Sequence, residues 1–133
     1  MASTLKINTL TGVTTAGSIA VTGEGNSTTT NLQQGLCKMW VNFDGSASGA
    51  ASRDTFNVSG MTDTGTGDYQ ASYSNAMSNA NYTMIGTSCF TGADTFVQNA
   101  QGQTTSLADI HVTEGGSLRD SSIVSVAVHG DLA

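Results

Sequence analysis

Apolar and polar residues alternate in short bursts along this chain. In Cys37–Asp44, Cys37, Met39, Val41 and Phe43 fall on one side and Lys38, Trp40, Asn42 and Asp44 on the other. A period of two marks a β-strand with one buried face. The same rhythm returns near the end, where Val124, Val126 and Val128 oppose Ile123, Ser125 and Ala127. Between these two segments the pattern predicts strands over Arg53–Ser59 (Phe56 and Val58 on one face), Asp68–Tyr73, Asn81–Phe90, Asp94–Val97 and Leu107–Val112. Turn signals separate them: Asp44-Gly45, Gly65 and Gly67, Thr91-Gly92, Gln101-Gly102 and Gly115-Gly116. Only Ser74–Asn81 has room for a helical turn, and it lacks an amphipathic stripe. Many short strands at this spacing predict an all-β fold, an antiparallel β-sandwich or jelly-roll-like domain over residues 35–133.

Residues 1–34 follow another pattern. Leu5–Leu10 and Ser18–Thr22 alternate like strands but carry few large apolar residues, and Gly23–Thr30 reads as a polar linker. Short strands with so little core need a partner surface. This segment is therefore expected to be a β-stranded attachment or oligomerisation piece, wrapped around identical chains or docked on a larger assembly.

Composition narrows the function classes. Charged residues are 11% of the 133, with 16 Gly, no Pro and a formal charge of −6. A sparsely charged surface rich in Thr and Ser is covered by hydroxyls, and Thr suits a pleated surface facing water. Four basic residues argue against nucleic acid, which is bound through several phosphate contacts. No apolar run approaches the ~20 residues of a spanning helix, so membrane insertion is not expected. The first ten residues, MASTLKINTL, lack the basic and apolar regions of a secretory signal. Two cysteines, Cys37 and Cys89, are too few for a disulfide framework.

Candidate chemistry is sparse. Asp63-Thr-Gly-Thr-Gly-Asp68 offers two carboxylates around flexible backbone, but it misses the EF-hand ligand spacing and reads as a tight hairpin turn. Arg53 is placed to pair across strands with Asp44 or Asp68, since adjacent Asp54 points to the other face. His111, between Ile110 and Val112, reads as a half-buried strand residue without metal-ligand spacing. Asp54, Asp63 and Asp68 could be drawn into a glycosidase pair, but nothing in their spacing selects them. No nucleophile elbow or phosphate loop is present, so the sequence predicts neither catalysis nor a cofactor. Trp40, the one tryptophan, lies opposite the core face. It is read as covering a second apolar layer such as a subunit interface, with a sugar-stacking platform as the competing role.

Three blocks with fixed order and spacing carry a resemblance: Lys-x-Trp-Val-Asn-Phe-x-Gly at Lys38–Gly45, Arg-Asp-x-Phe-Asn-Val-Ser at Arg53–Ser59, and Thr-Asp-x-Gly-Thr-Gly-Asp-Tyr at Thr62–Tyr69. Together with Met77–Tyr82 and the opening Ser3–Thr9, they resemble fibre and spike domains of bacteriophages of aquatic bacteria. The resemblance implies a virion structural protein on the particle surface, made in the host cytoplasm. It implies a homotrimer, joined to other virion proteins through residues 1–34 and touching the host surface, where a glycan is one possible receptor. The alternative is a capsid decoration or head-fibre protein without a receptor role; a fibre-borne polysaccharide hydrolase is a more distant one. Under this reading Lys38, Trp40, Asn42, Asp44, Arg53, Asp54, Phe56, Asp63, Asp68 and Tyr69 form the family scaffold and a possible subunit interface. Receptor contacts are expected on Ser46–Ser52, Thr91–Asp94, Asn99–Thr105 and Thr113–Asp120, because recognition concentrates on loops.

Overall fold

The computed structural model describes residues 4–13, 19–23, 28–90, 95–99 and 102–132. The chain divides into two compact units, Met1–Leu36 and Cys37–Ala133.

In the first unit, β1 (Ala20–Thr22) pairs antiparallel with β2 (Thr29–Asn31), followed by the single turn α1 (Leu32–Gly35). Asn31 caps that turn: its side-chain oxygen accepts from the backbone N–H of Gln33 (2.8 Å) and Gln34 (3.2 Å). The expectation for Leu5–Leu10 is corrected. Among the described residues it pairs with no other segment, and extended backbone without a ladder is not a strand. Conversely, β2 arises inside and beyond the stretch read as linker, where Thr favours extended backbone.

The second unit is an antiparallel sandwich. Its strands are β3 (Met39–Asp44), β4 (Ala51–Phe56), β5 (Val58–Gly65), β6 (Asp68–Tyr73), β7 (Thr83–Cys89), β8 (Thr95–Asn99), β9 (Leu107–Glu114), β10 (Ser117–Leu118) and β11 (Ile123–His129). One sheet has the order β4-β3-β11-β7. The other runs β8-β9-β6-β5, and β10 extends the β6 side of β9 in a hairpin. The inward positions are those the alternation assigns. Met39, Val41, Phe43, Val124, Val126 and Val128 from one sheet meet Tyr69, Ala71, Tyr73, Ala108, Ile110 and Val112 from the other in one buried cluster. Two edge-to-face aromatic pairs lock it, Phe43 with Tyr69 at 5.0 Å and Tyr73 with Tyr82 at 5.9 Å between centroids.

Two local expectations are corrected. Phe56 and Val58 do not share a face, because the strand breaks between them. Asn57 takes the left-handed backbone (φ 58°), and the chain leaves one sheet there and enters the other. Asn tolerates that conformation better than most residues. Its side chain holds the crossing together. The Nδ2 group donates to the carbonyls of Lys38 and Asn75, both at 3.0 Å, while Oδ1 accepts from the Asn75 N–H at 2.7 Å. Ser74–Asn81 forms no helical turn. It is a bent connection pinned by Met77, which is buried and bridges to Leu132.

Candidate functional site: the outer face of the first sheet

Strand register assembles the site. Trp40 lies directly opposite Phe56 on β4 and Ala127 on β11, and Ala127 lies opposite Ile85 on β7. Phe56, Trp40, Ala127 and Ile85 therefore form one row across all four strands, on the solvent side. Phe56 is 51% exposed, Trp40 37% and Ile85 57%. The neighbouring row is Asp54, Asn42, Ser125 and Thr87, and beyond it Ile123 sits opposite Cys89. Small Ala127 and Ser125 make a valley between the Trp40 and Ile85 walls, a shallow open groove of about 380 Å³. The polar pair in this groove is already engaged: Asn42 Nδ2 donates to Ser125 Oγ at 2.8 Å. The groove is mostly apolar, with the polar side chains of Asn42, Thr87 and Ser125 in its lining.

Asp44 and Arg53 stand at one end of this face, and their ion pair closes at 3.0 Å. The register explains how. Phe43 pairs with Ser52 and Asn42 with Asp54, which leaves Arg53 as the extra residue of a β-bulge. A bulge re-aims its side chain, and Arg53 Nη2 also donates to the Ser122 carbonyl at 2.6 Å. The Ser46 hydroxyl donates to Asp44 Oδ1 at 2.6 Å; this bond first, then the Ser46 N–H and the Arg53 charge, holds the Asp44 carboxyl below its usual range.

The remaining predicted residues lie elsewhere. Lys38 precedes β3 and is buried rather than facing outward with Trp40; its backbone N–H donates to Val128 at 2.8 Å. Asp63 and Asp68 flank the β5–β6 hairpin, on a different sheet from Asp54. Asp63 accepts from the Gly65 N–H at 3.1 Å, and Asp68 faces His111 at 3.3 Å. Tyr69 is fully buried at a joint between the sheets. Its hydroxyl lies 2.9 Å from both the Gly45 carbonyl and Asp120 Oδ1, and Asp120 Oδ1 also accepts from the Gly67 N–H at 2.8 Å. Burial, then the hydrogen bond and charge of Asp120, raise the Tyr69 pKa far above its ordinary value. Gly45 and Gly67 are glycine for space. A Cβ on Gly45 would stand 2.5 Å from the tyrosine oxygen, and one on Gly67 would strike the Arg119 and Val112 backbone.

Asn57, Ile85, Ile123 and Ala127 complete these constellations and are not among the site residues the sequence predicts; Asp120 entered only as the end of the Thr113–Asp120 loop, and its carboxylate holds the Tyr69 hydroxyl and the Gly67 N–H. Ile85, Ile123 and Ala127 were legible as strand residues, but their partners on other strands were not. For Asn57 the available signal was its residue type at a strand junction.

Both cysteines are free: Cys37 is half-buried with its thiol donating to the Met39 carbonyl at 2.9 Å, and Cys89 is exposed. Among the described residues no cluster of three or more His, Cys, Asp or Glu is assembled that could hold a metal ion, and no helix is long and apolar enough to cross a membrane. Of the loops expected from the sequence to carry receptor contacts, Ser46–Ser52 has positive φ at Gly49 and Ala50, with Ala50 buried as its anchor. Thr113–Asp120 contains the β9–β10 hairpin, where Arg119 pairs with Glu114 at 2.8 Å and stacks over Phe90 at 3.9 Å. Thr91–Asp94 lies outside the described residues, as do Ala100 and Gln101 of Asn99–Thr105.

No family model, curated protein or solved structure matches this chain.

Proposed function

We propose that this protein is a structural component of a bacteriophage virion: a short trimeric fibre or spike whose N-terminal unit joins it to the particle and whose sandwich is exposed toward the host. The observation that carries the reading is the state of the N-terminal unit. Leu5 is 80% exposed and Val13 92%, and Ile7, Leu10, Val21 and Leu36 are also uncovered. A two-stranded hairpin with its apolar residues in water is marginal alone, and further copies or a neighbouring virion protein would cover it. The resemblance at Lys38–Gly45, Arg53–Ser59 and Thr62–Tyr69 supports the virion assignment. The residues of those blocks do structural work in the sandwich: Tyr69, Gly45 and Gly67 at the joint, Arg53 and Asp44 at the bulge, Asn57 at the crossing. The protein is accordingly read as an adhesive and structural part, with no catalytic step and no cofactor.

The test is adsorption. Antibodies against the purified protein should slow attachment of the phage that encodes it, and the purified protein should sediment as a trimer. A stable monomer whose antibodies leave adsorption unchanged would overturn the fibre reading; labelling confined to the capsid shell would replace it with decoration.

A further inference from the structure

We infer that residues 5–10 of each copy add as a third strand to the open edge of β1 in the next copy, joining the N-terminal units of the proposed trimer in a ring. The inference rests on the trimeric reading above and names both the strand that is donated and the edge that receives it.

Three observations carry it. First, a donor is present. Residues 5–10 alternate, with Leu5 and Ile7 on one side and Lys6 and Asn8 on the other, which is the period of a strand. Among the described residues they pair with no other segment of their own chain, and Leu5 and Ile7 are exposed. Second, an acceptor edge is present. The Gly23 N–H donates to the Thr28 carbonyl at 2.9 Å, and the Leu32 N–H to the Ile19 carbonyl at 2.8 Å. Bonded and non-bonded pairs alternate along an antiparallel ladder, so Val21–Thr30, midway between these two, is a bonded pair as well. Ala20 and Thr22 therefore turn their backbone N–H and C=O groups away from β2, toward the outer edge of β1. Among the described residues no third strand lies there. An antiparallel strand laid on that edge with Ile7 opposite Val21 brings Lys6 and Asn8 opposite Ala20 and Thr22 and completes their bonds. The same register sets Ile7 beside the half-exposed Val21 as an apolar cross-strand pair. Third, this edge lacks the devices that keep sheet edges apart. Proline, charged side chains and bulges obstruct edge pairing. β1 and β2 contain no Pro, no charged residue and no shift of register. The edge strands of the sandwich do carry such devices: β4 has the Arg53 bulge, and β5 has two register shifts. β1 and β2 are only three residues each, so their hairpin is marginal until a third strand joins it. Donor and acceptor are different parts of the chain, so every copy gives one strand and receives one. Head-to-tail contacts of this kind generate a ring when the rotation closes.

The test places a photo-crosslinking side chain in the full chain, as Ile7→p-benzoylphenylalanine. The expected result after illumination is a species of doubled mass on a denaturing gel, whose cross-linked peptides join residue 7 of one chain to the β1–β2 hairpin of another. Sedimentation then compares two proline variants. Asn8→Pro removes an N–H that the added strand donates to β1, whereas Gly12→Pro lies outside the alternating stretch. Asn8→Pro should weaken self-association by about 10-fold or more, with Gly12→Pro within about 2-fold of the wild type. Circular dichroism checks that the sandwich is folded in each. Three results overturn the inference and leave the trimeric reading standing: a trimer whose residue 7 cross-links only within its own chain, one whose residue 7 reaches only the sandwich or nothing, or an Asn8→Pro chain that assembles as the wild type does. A wild type that sediments as a monomer overturns both. Cross-linked trimers of a protein absent from the virion would uphold the donated strand and refute the virion reading instead.

Discussion

Removing the Tyr69 hydroxyl tests whether the motif residues hold the two sheets together. In Tyr69→Phe the ring still packs edge-to-face on Phe43. What disappears is the oxygen that sits 2.9 Å from Asp120 Oδ1 and 2.9 Å from the Gly45 carbonyl. A hydrogen bond to a charged group contributes about 1.5–3 kcal/mol, and a buried acceptor left without a donor costs a comparable amount. Asp120 keeps the Gly67 N–H as a donor, so the expected loss is about 2 kcal/mol rather than the sum of both. In a domain of roughly 100 residues this lowers Tm by about 8–16 °C. The internal control is Tyr73→Phe. Tyr73 is 8% exposed and its buried hydroxyl interacts with the Tyr82 hydroxyl without closing a well-formed hydrogen bond, so its removal is expected to cost clearly less than that of the Tyr69 hydroxyl. The assay is urea unfolding followed by circular dichroism at one fixed protein concentration, since self-association would shift the midpoint. A Tyr69→Phe midpoint within about 0.5 kcal/mol of the wild type, or a Tyr73→Phe loss as large as that of Tyr69→Phe, would refute the assignment of the joint.

Asn57→Ala is expected to lose about 2–4 kcal/mol, because it removes the side-chain bonds at the crossing and places a Cβ residue at φ 58° without local compensation; Asn57→Gly should recover the backbone part only, and equal losses in urea unfolding would contradict this. The pKa values of Tyr69, Tyr73 and Tyr82 are all raised, chiefly by burial. The unfolded chain therefore gives up these protons first, so stability is full below pH 10 and falls as pH rises beyond it. Tyrosinate absorbance should appear together with loss of structure, and ionisation near pH 10 in a folded protein would contradict the burial. Asp44 shifts the other way, so its contribution is present above pH 3.8 and is lost as the pH falls toward its lower folded value. Asp44→Asn should flatten this acid limb, and an unchanged acid profile would speak against the Ser46 and Arg53 contacts. Gly45→Ala should be more damaging than Tyr69→Phe, because the new Cβ would press on a ring packed against Phe43; a wild-type Tm would show that the joint is looser than described.

Much of the sandwich was legible because β3 and β11 have one buried face, and a period-two pattern records that directly. The Asp44–Arg53 pair was legible as well, although not the bulge that makes it possible. What escaped depends on events the local pattern does not encode. Phe56-Asn57-Val58 alternates as one strand would, yet Asn57 sends its neighbours into different sheets. Tyr69 and Asp120 are 51 positions apart, and only the hairpin and β10 bring them together. The apolar row shows the same limit. Trp40 declared its face in the sequence, but its alignment with Phe56, Ala127 and Ile85 is a matter of register across four strands. In Thr29–Asn31 no apolar residue marks the strand, and only the pairing with β1 makes it one.

The most direct test of the central claim is peptide mass spectrometry of gradient-purified particles of the bacteriophage proposed to encode this chain. The account predicts peptides from both the N-terminal unit and the sandwich, co-purifying with the particle at a copy number divisible by three. Their absence from infectious particles, with the protein abundant in the lysate, would contradict it.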